Sequence, residues 1–295
     1  MNAVTAATPR RTDPLAVRVL LTGAALVFVA LFIVLPLASI FTGALAKGAG
    51  VFWAAVRDPE TLFSVRLTLL VTISVVAANL VFGIAAAWCI TRFRFPGRRL
   101  LSSLIELPLS ISPVVAGLVF ILLLGDAGVF GRFLSAHGIK VIFALPGIIL
   151  ATLFVTLPYV ARELIPLMEA GGSQEEQAAL TLGARGWQIF RLVTLPNISW
   201  GLLYGVVLAS ARALGEFGAV SVVSGHVRGE TTTVPLQVEI LYNEYHFAAA
   251  FAVASLLSLL ALFTVAVKKL LQRRVARQHL PLWHGGTAGS PGGTT

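Results

Sequence analysis

SQEEQAALTLGARGWQIFRLVTLP, residues 173–196, is the longest polar interior loop of a chain that otherwise reads as membrane. Ser173 and Glu176 have the S-x-x-E spacing of a capping box, in which each side chain satisfies an orphan backbone donor at a helix start. Gly183 supplies a stop, because glycine takes the left-handed C-terminal position without steric cost. The spacing predicts a short helix over residues 174–182, about two and a half turns, with the small Ala178 and Ala179 where a close contact needs them. This helix carries Glu175 and Glu176 but no lysine or arginine, so an anionic lipid surface does not favour it. Its character fits a groove in another protein.

Working outward, the 295 residues are 57% hydrophobic and 12% charged, with a mean hydropathy of +0.88. A soluble domain carries about twice that charged fraction. A spanning helix needs about 20 predominantly apolar residues, and six windows meet that length: 19–46, 67–91, 100–125, 141–161, 198–224 and 245–267. The expected fold class is all-α, a polytopic helical membrane protein with six transmembrane helices and the polar helix between the fourth and fifth. The first window is too long for the apolar core of a signal peptide. Residues 1–14 read as an N-terminal arm, 15–277 as the membrane domain and 278–295 as a disordered tail, since GGTAGSPGGTT from Gly285 has nothing with which to build a core. Pro36, Pro108, Pro113, Pro146 and Pro158 fall inside predicted spans, where each removes a backbone donor and can kink a helix. Pro235 is placed to open a short helix in the loop 225–244.

The net charge of +9 suggests nucleic acid in a soluble chain, but here its distribution explains it. Fifteen lysines and arginines lie in the N-terminal arm, the second and fourth loops and the tail, against six in the alternate loops. Cytoplasmic loops carry the excess, so both termini and the 173–196 loop are expected inside the cell, with no nucleic-acid partner. The single Cys89 lies in an apolar run and reads as a small buried hydrophobe.

Enzyme motifs are missing from the sequence. It holds no G-x-x-x-x-G-K-[ST] phosphate loop, no H-E-x-x-H and no Cys/His cluster at zinc spacing, so catalytic and metal residues are expected to be none. Any energy from a nucleotide must come from another chain. In the fifth window Gly201, Gly205, Ala209, Arg212, Glu216 and Ala219 recur at helical spacing, and in the third Ser103, Glu106, Ser110, Pro113 and Gly117 do the same. An arginine near the centre of a lipid-facing helix costs about 2.5–3.5 kcal/mol, so Arg212 and Glu216 must face protein or water. Two polar stripes meeting inside the bundle is the expected picture. Arg212 then either gates an anion pathway or forms an ion pair with Glu216 or Glu106 that fixes packing. Together Glu106, Arg212 and Glu216 carry one net negative charge, which is unsuited to attracting an anion.

Residues 173–196 resemble the EAA loop of permease subunits of bacterial ABC importers, whose pattern is E-A-A, three residues, G, then nine residues before I-x-L-P. Ala178, Ala179, Gly183, Val193, Leu195 and Pro196 are in register, and Gln177 stands where the pattern has glutamate. RALGEFG at 212–218 and LIELPLSISPVVAGL at 104–118 look like motifs of sulfate/thiosulfate and molybdate permeases. GHVRGETTTVPLQVEILYNEY at 225–245 is similar to the CysW-type branch of the sulfate/thiosulfate permeases. The resemblance implies an ATP-driven importer in which this chain pairs with a homologous second permease to form the pathway. It also implies two copies of a cytoplasmic ATPase, which carry ATP and magnesium while this chain binds no cofactor, and a periplasmic binding protein that delivers the anion. Glu175, Glu176, Gln177, Ala178, Ala179, Gly183, Leu195 and Pro196 are the implied ATPase-coupling residues, and Glu106, Ser110, Arg212 and Glu216 the pathway or ion-pair residues. A molybdate or tungstate permease and an ion-coupled secondary transporter are the alternatives.

Overall fold

The computed structural model describes residues 14–278, so the first thirteen residues of the N-terminal arm and the tail beyond Gln278 lie outside it. All regular structure among the described residues is helical. The elements are α1 (Leu15–Leu45), α2 (Ala49–Arg57), α3 (Pro59–Arg92), α4 (Arg98–Ser110), α5 (Pro113–Leu124), α6 (Gly131–Ala136), α7 (Leu145–Gly171), α8 (Gln174–Thr181), α9 (Gly186–Leu214), α10 (Gly218–Val223), α11 (Val234–Asn243) and α12 (Phe247–Gln278). Among these, α1, α3, α7, α9 and the first 21 residues of α12 are long and apolar enough to cross a membrane.

The third apolar window is not one straight span. α4 and α5 meet at 109°, because Ile111 and Ser112 are extended (ψ 134° and 132°) ahead of Pro113, whose ring disfavours helical geometry in the residue before it. Counted as one span, the pair brings the candidate crossings among the described residues to six. The fifth window also differs from its expected bounds, since α9 starts at Gly186 and stops at Leu214. Gly215 to Phe217 form a break, and Ala219 belongs to α10. Polar ends extend several helices beyond the apolar windows, most clearly α7, which continues to Gly171.

Pro108 and Pro166 stand inside helices, and the other prolines considered act in two ways. Pro113, Pro146, Pro158 and Pro235 stand in the first turns of helices or helix halves, where the missing N–H has no helical acceptor to lose. Pro36 and Pro196 instead follow one-turn π segments, Ala30–Val34 and Phe190–Thr194, in which Leu35 N–H reaches Ala30 O and Leu195 N–H reaches Phe190 O. The wider turn absorbs the lost hydrogen bond and lets each helix continue through its proline.

α3, α7 and α9 form the middle of the bundle. Leu67, Val71, Val75, Ile148, Val220 and Leu236 build one cluster of the core, and Ala87, Val160, Leu164, Met168, Ile198 and Ala209 another. Two glycines set the spacing: a Cβ at Gly83 would stand 2.5 Å from Val160 Cγ1, and one at Gly205 would stand 3.1 Å from Val160 Cα. α7 is therefore clasped from both sides at Val160, the close approach that small residues permit between membrane helices. Asn79 Nδ2 donates to Thr156 Oγ1 at 2.7 Å and adds a buried polar tie between α3 and α7. At the opposite end from α8, α11 buries Val234, Leu236 and Gln237, and Val234 N–H donates to Thr68 Oγ1 at 2.9 Å.

Candidate functional site

α8 occupies Gln174–Thr181 and ends in a Schellman turn. Gly183 N–H donates to Leu180 O at 3.0 Å, Ala184 N–H donates to Ala179 O at 3.0 Å, and Gly183 has φ +82°. Gly183 is thus the stop, which only a residue at ease in left-handed geometry fills without strain. The expected capping box at the other end does not form. Ser173 makes no side-chain cap; its hydroxyl accepts from Gln177 Nε2 at 2.8 Å, and Glu176 turns away into the protein.

The reason is Arg92, the last residue of α3. Its Nε lies 2.7 Å from Glu176 Oε2, and its Nη2 donates to Glu176 Oε1 at 3.2 Å. The same guanidinium donates to Met168 O at 3.2 Å and to Gly172 O at 2.8 Å, capping carbonyls at the end of α7. Thr194 Oγ1, in the π segment of α9, donates to Glu176 Oε1 at 2.7 Å. An arginine has five donors in a fixed fork, so one side chain can gather a carboxylate and two carbonyls. A charge-assisted pair outcompetes the backbone donor that a capping box offers. Glu175 is tied separately, accepting from Asn197 Nδ2.

The outward side of this region is apolar and open. Leu180, Leu182, Trp187 and Leu192 are 62%, 88%, 70% and 71% exposed, and Ala178 and Gln177 are exposed beside them. Behind the patch Phe190 stacks on Trp88 of α3, with ring centroids 4.6 Å apart and planes 12° from parallel. Leu195 and Pro196 lie within the unbroken run of α9, so the loop and the long helix are one body.

The second group of predicted residues separates in space. Arg212 Nη1 lies 2.6 Å from Glu216 Oε2, across the end of α9, and Glu216 is 2% exposed. Glu216 Oε1 also accepts from Ala219 N–H at 2.8 Å, so this carboxylate stitches α9 to the first turn of α10. Glu106 and Ser110 are exposed on α4 and do not join the pair. The two polar stripes therefore do not meet as expected: the 109° bend takes Pro113 and Gly117 onto a different axis from Ser103, Glu106 and Ser110. α5 and α10 instead meet closely at small residues, since a Cβ at Gly117 would stand 2.7 Å from Ala219 O.

Sequence reasoning overlooked Arg92, Thr194 and Asn197. Arg92 entered only as one of the basic residues that set topology. No local pattern links position 92 to 176, because the tie depends on α3 and α7 ending at the same level.

A family model described as "Binding-protein-dependent transport system inner membrane component" matches residues 79–277. The chain is 49% identical over 258 residues to the sulfate transport system permease protein CysW of Escherichia coli K12, covering 88% of this chain and 89% of that one. It is 38% identical over 259 residues to the sulfate transport system permease protein CysT of Salmonella typhimurium, covering 87% and 92%. Among solved structures, a chain of a bacterial alginate ABC transporter, in complex with an alginate-bound periplasmic protein, matches with a TM-score of 0.74 at 18% identity, covering 88% of this chain and 96% of that one. That likeness concerns the fold.

Proposed function

The chain belongs to the family of binding-protein-dependent transport system inner membrane components, and from that premise we propose that it is a permease subunit of an ATP-driven sulfate importer. The similarity to a sulfate transport permease along nearly nine-tenths of the chain carries the reading, and it favours sulfate over molybdate or tungstate. Its similarity to two different sulfate permeases, CysW and CysT, supports pairing with a second, homologous permease to enclose the pathway. Thiosulfate, of like charge and shape, is the second expected substrate.

The patch of Leu180, Leu182, Trp187 and Leu192 docks a cytoplasmic ATPase, one copy on each permease. Four large apolar side chains on one small loop are the composition of an interface core rather than of a solvated turn. ATP and magnesium stay on that partner, and the chain itself is a non-enzymatic subunit. The excess of lysine and arginine in alternate loops supports a cytoplasmic side for α8 and both termini. The loop containing α11 then faces the periplasm and an anion-binding protein. Arg212 and Glu216 act as a structural pair closing the break between α9 and α10, and Glu106 and Ser110 line a surface that the second permease completes.

Co-purification tests the docking surface. Trp187→Glu with Leu182→Glu is expected to reduce recovered ATPase at least tenfold while the two permeases stay together in detergent. Undiminished ATPase recovery with that variant would refute the placement.

A further inference from the structure

α8 has no buried residue, and of its apolar side chains only Ala179 is half-buried. It adjoins an open cavity of about 400 Å³ lined by Arg92, Met168, Gly172, Glu176, Thr194 and Asn197, which separates the helix from tight packing on α7. The ties that span this gap are polar: Glu175 accepts from Asn197 of α9, and the remaining ties converge on the carboxylate of Glu176. Glu176 holds Arg92 of α3 on one oxygen at 2.7 Å and Thr194 of α9 on the other at 2.7 Å. Arg92 passes the connection on to the end of α7 through Met168 O and Gly172 O. The side chains of Arg92 and Glu176 are only 16% and 17% exposed, so water screens the pair weakly.

We propose that Arg92 is a positioning residue for transport: through Glu176 it links the docking helix to α3, α7 and α9, so that a displacement of α8 moves three spanning helices together. The proposal rests on the importer reading above. It assigns Glu176 a role opposite to the one the loop motif implies, as an inward tie rather than a contact for the ATPase. A rigid element transmits displacement only where its attachments are stiffer than its own hinges. Gly172, with φ +64°, and Gly183 flank α8, so without Glu176 the helix is held between two glycines by the Glu175–Asn197 bond alone.

The test uses the complete complex of two permeases and ATPase in proteoliposomes, measuring sulfate accumulated per ATP hydrolysed, together with amide hydrogen exchange over residues 174–181. Arg92→Met is expected to keep the ATPase bound and hydrolysing, to lower the sulfate-to-ATP ratio at least tenfold, and to raise exchange in that segment at least tenfold. Arg92→Lys, which keeps the charge within reach of Glu176, is expected to recover most of both. An unchanged ratio in Arg92→Met, with or without faster exchange, overturns the proposal, and so does loss of the ATPase from that complex. Should Arg92→Met fail to fold, Glu176→Gln carries the same test, because it keeps the Thr194 bond while removing the charge. There an unchanged ratio overturns the proposal and a reduced one upholds it. A wild-type complex without ATP-driven uptake fails before any variant is made, and that result rejects the importer reading itself.

Discussion

Glu216 is the most deeply buried carboxylate of the predicted pathway residues, and its partners explain why the chain tolerates it. Arg212 neutralises one oxygen and the Ala219 amide satisfies the other. Removing one partner of a buried pair costs about 3–5 kcal/mol, because the remaining charge is left uncompensated. Arg212 is 30% exposed, so the cost here falls toward the lower end of that range. Arg212→Gln is expected to depress folded protein severalfold in membranes, and Arg212→Gln with Glu216→Gln to restore much of it. Fluorescence-detected size exclusion checks both. A stable Arg212→Gln protein with altered anion dependence would make the arginine a gate instead. The pair at i and i+4 was visible in RALGEFG. Its function as a stitch across a helix break was not, because the break follows from Gly215 and the packing of α10 on α5.

At the scale of elements, the sequence reading worked where local chemistry decides and failed where distant parts compete. The Gly183 stop was legible because left-handed geometry selects glycine whatever surrounds it. Gly183→Val forces a β-branched residue to φ +82°, at a cost of about 1–3 kcal/mol. It is expected to fray the end of α8 and weaken ATPase recovery severalfold, with Gly183→Asn retaining most of it; co-purification yields measure both. The capping box of Ser173 and Glu176 failed as a reading because Arg92, eighty-four residues from Glu176, offers the carboxylate a stronger partner. Long apolar windows found the spans, yet they missed the 109° bend between α4 and α5. Apolar content does not distinguish a straight helix from two helices joined at Ser112-Pro113.

For the whole molecule, the class was readable from hydropathy and charge alone. Its assembly was not, because the proposed importer divides the pathway, the energy source and the anion delivery among chains. The described fold has parts that fit such a division: the 173–196 loop continuous with α9, a bundle clasped at Val160, and α11 tied to α3. The most direct test of the central claim is radiolabelled sulfate uptake into proteoliposomes holding both permeases and the ATPase, with ATP and the binding protein supplied and ion gradients collapsed by ionophores. The importer reading predicts accumulation that requires ATP, the ATPase and the binding protein and survives the ionophores. Accumulation by the permeases alone, abolished by the ionophores, would contradict it and make the chain an ion-coupled carrier.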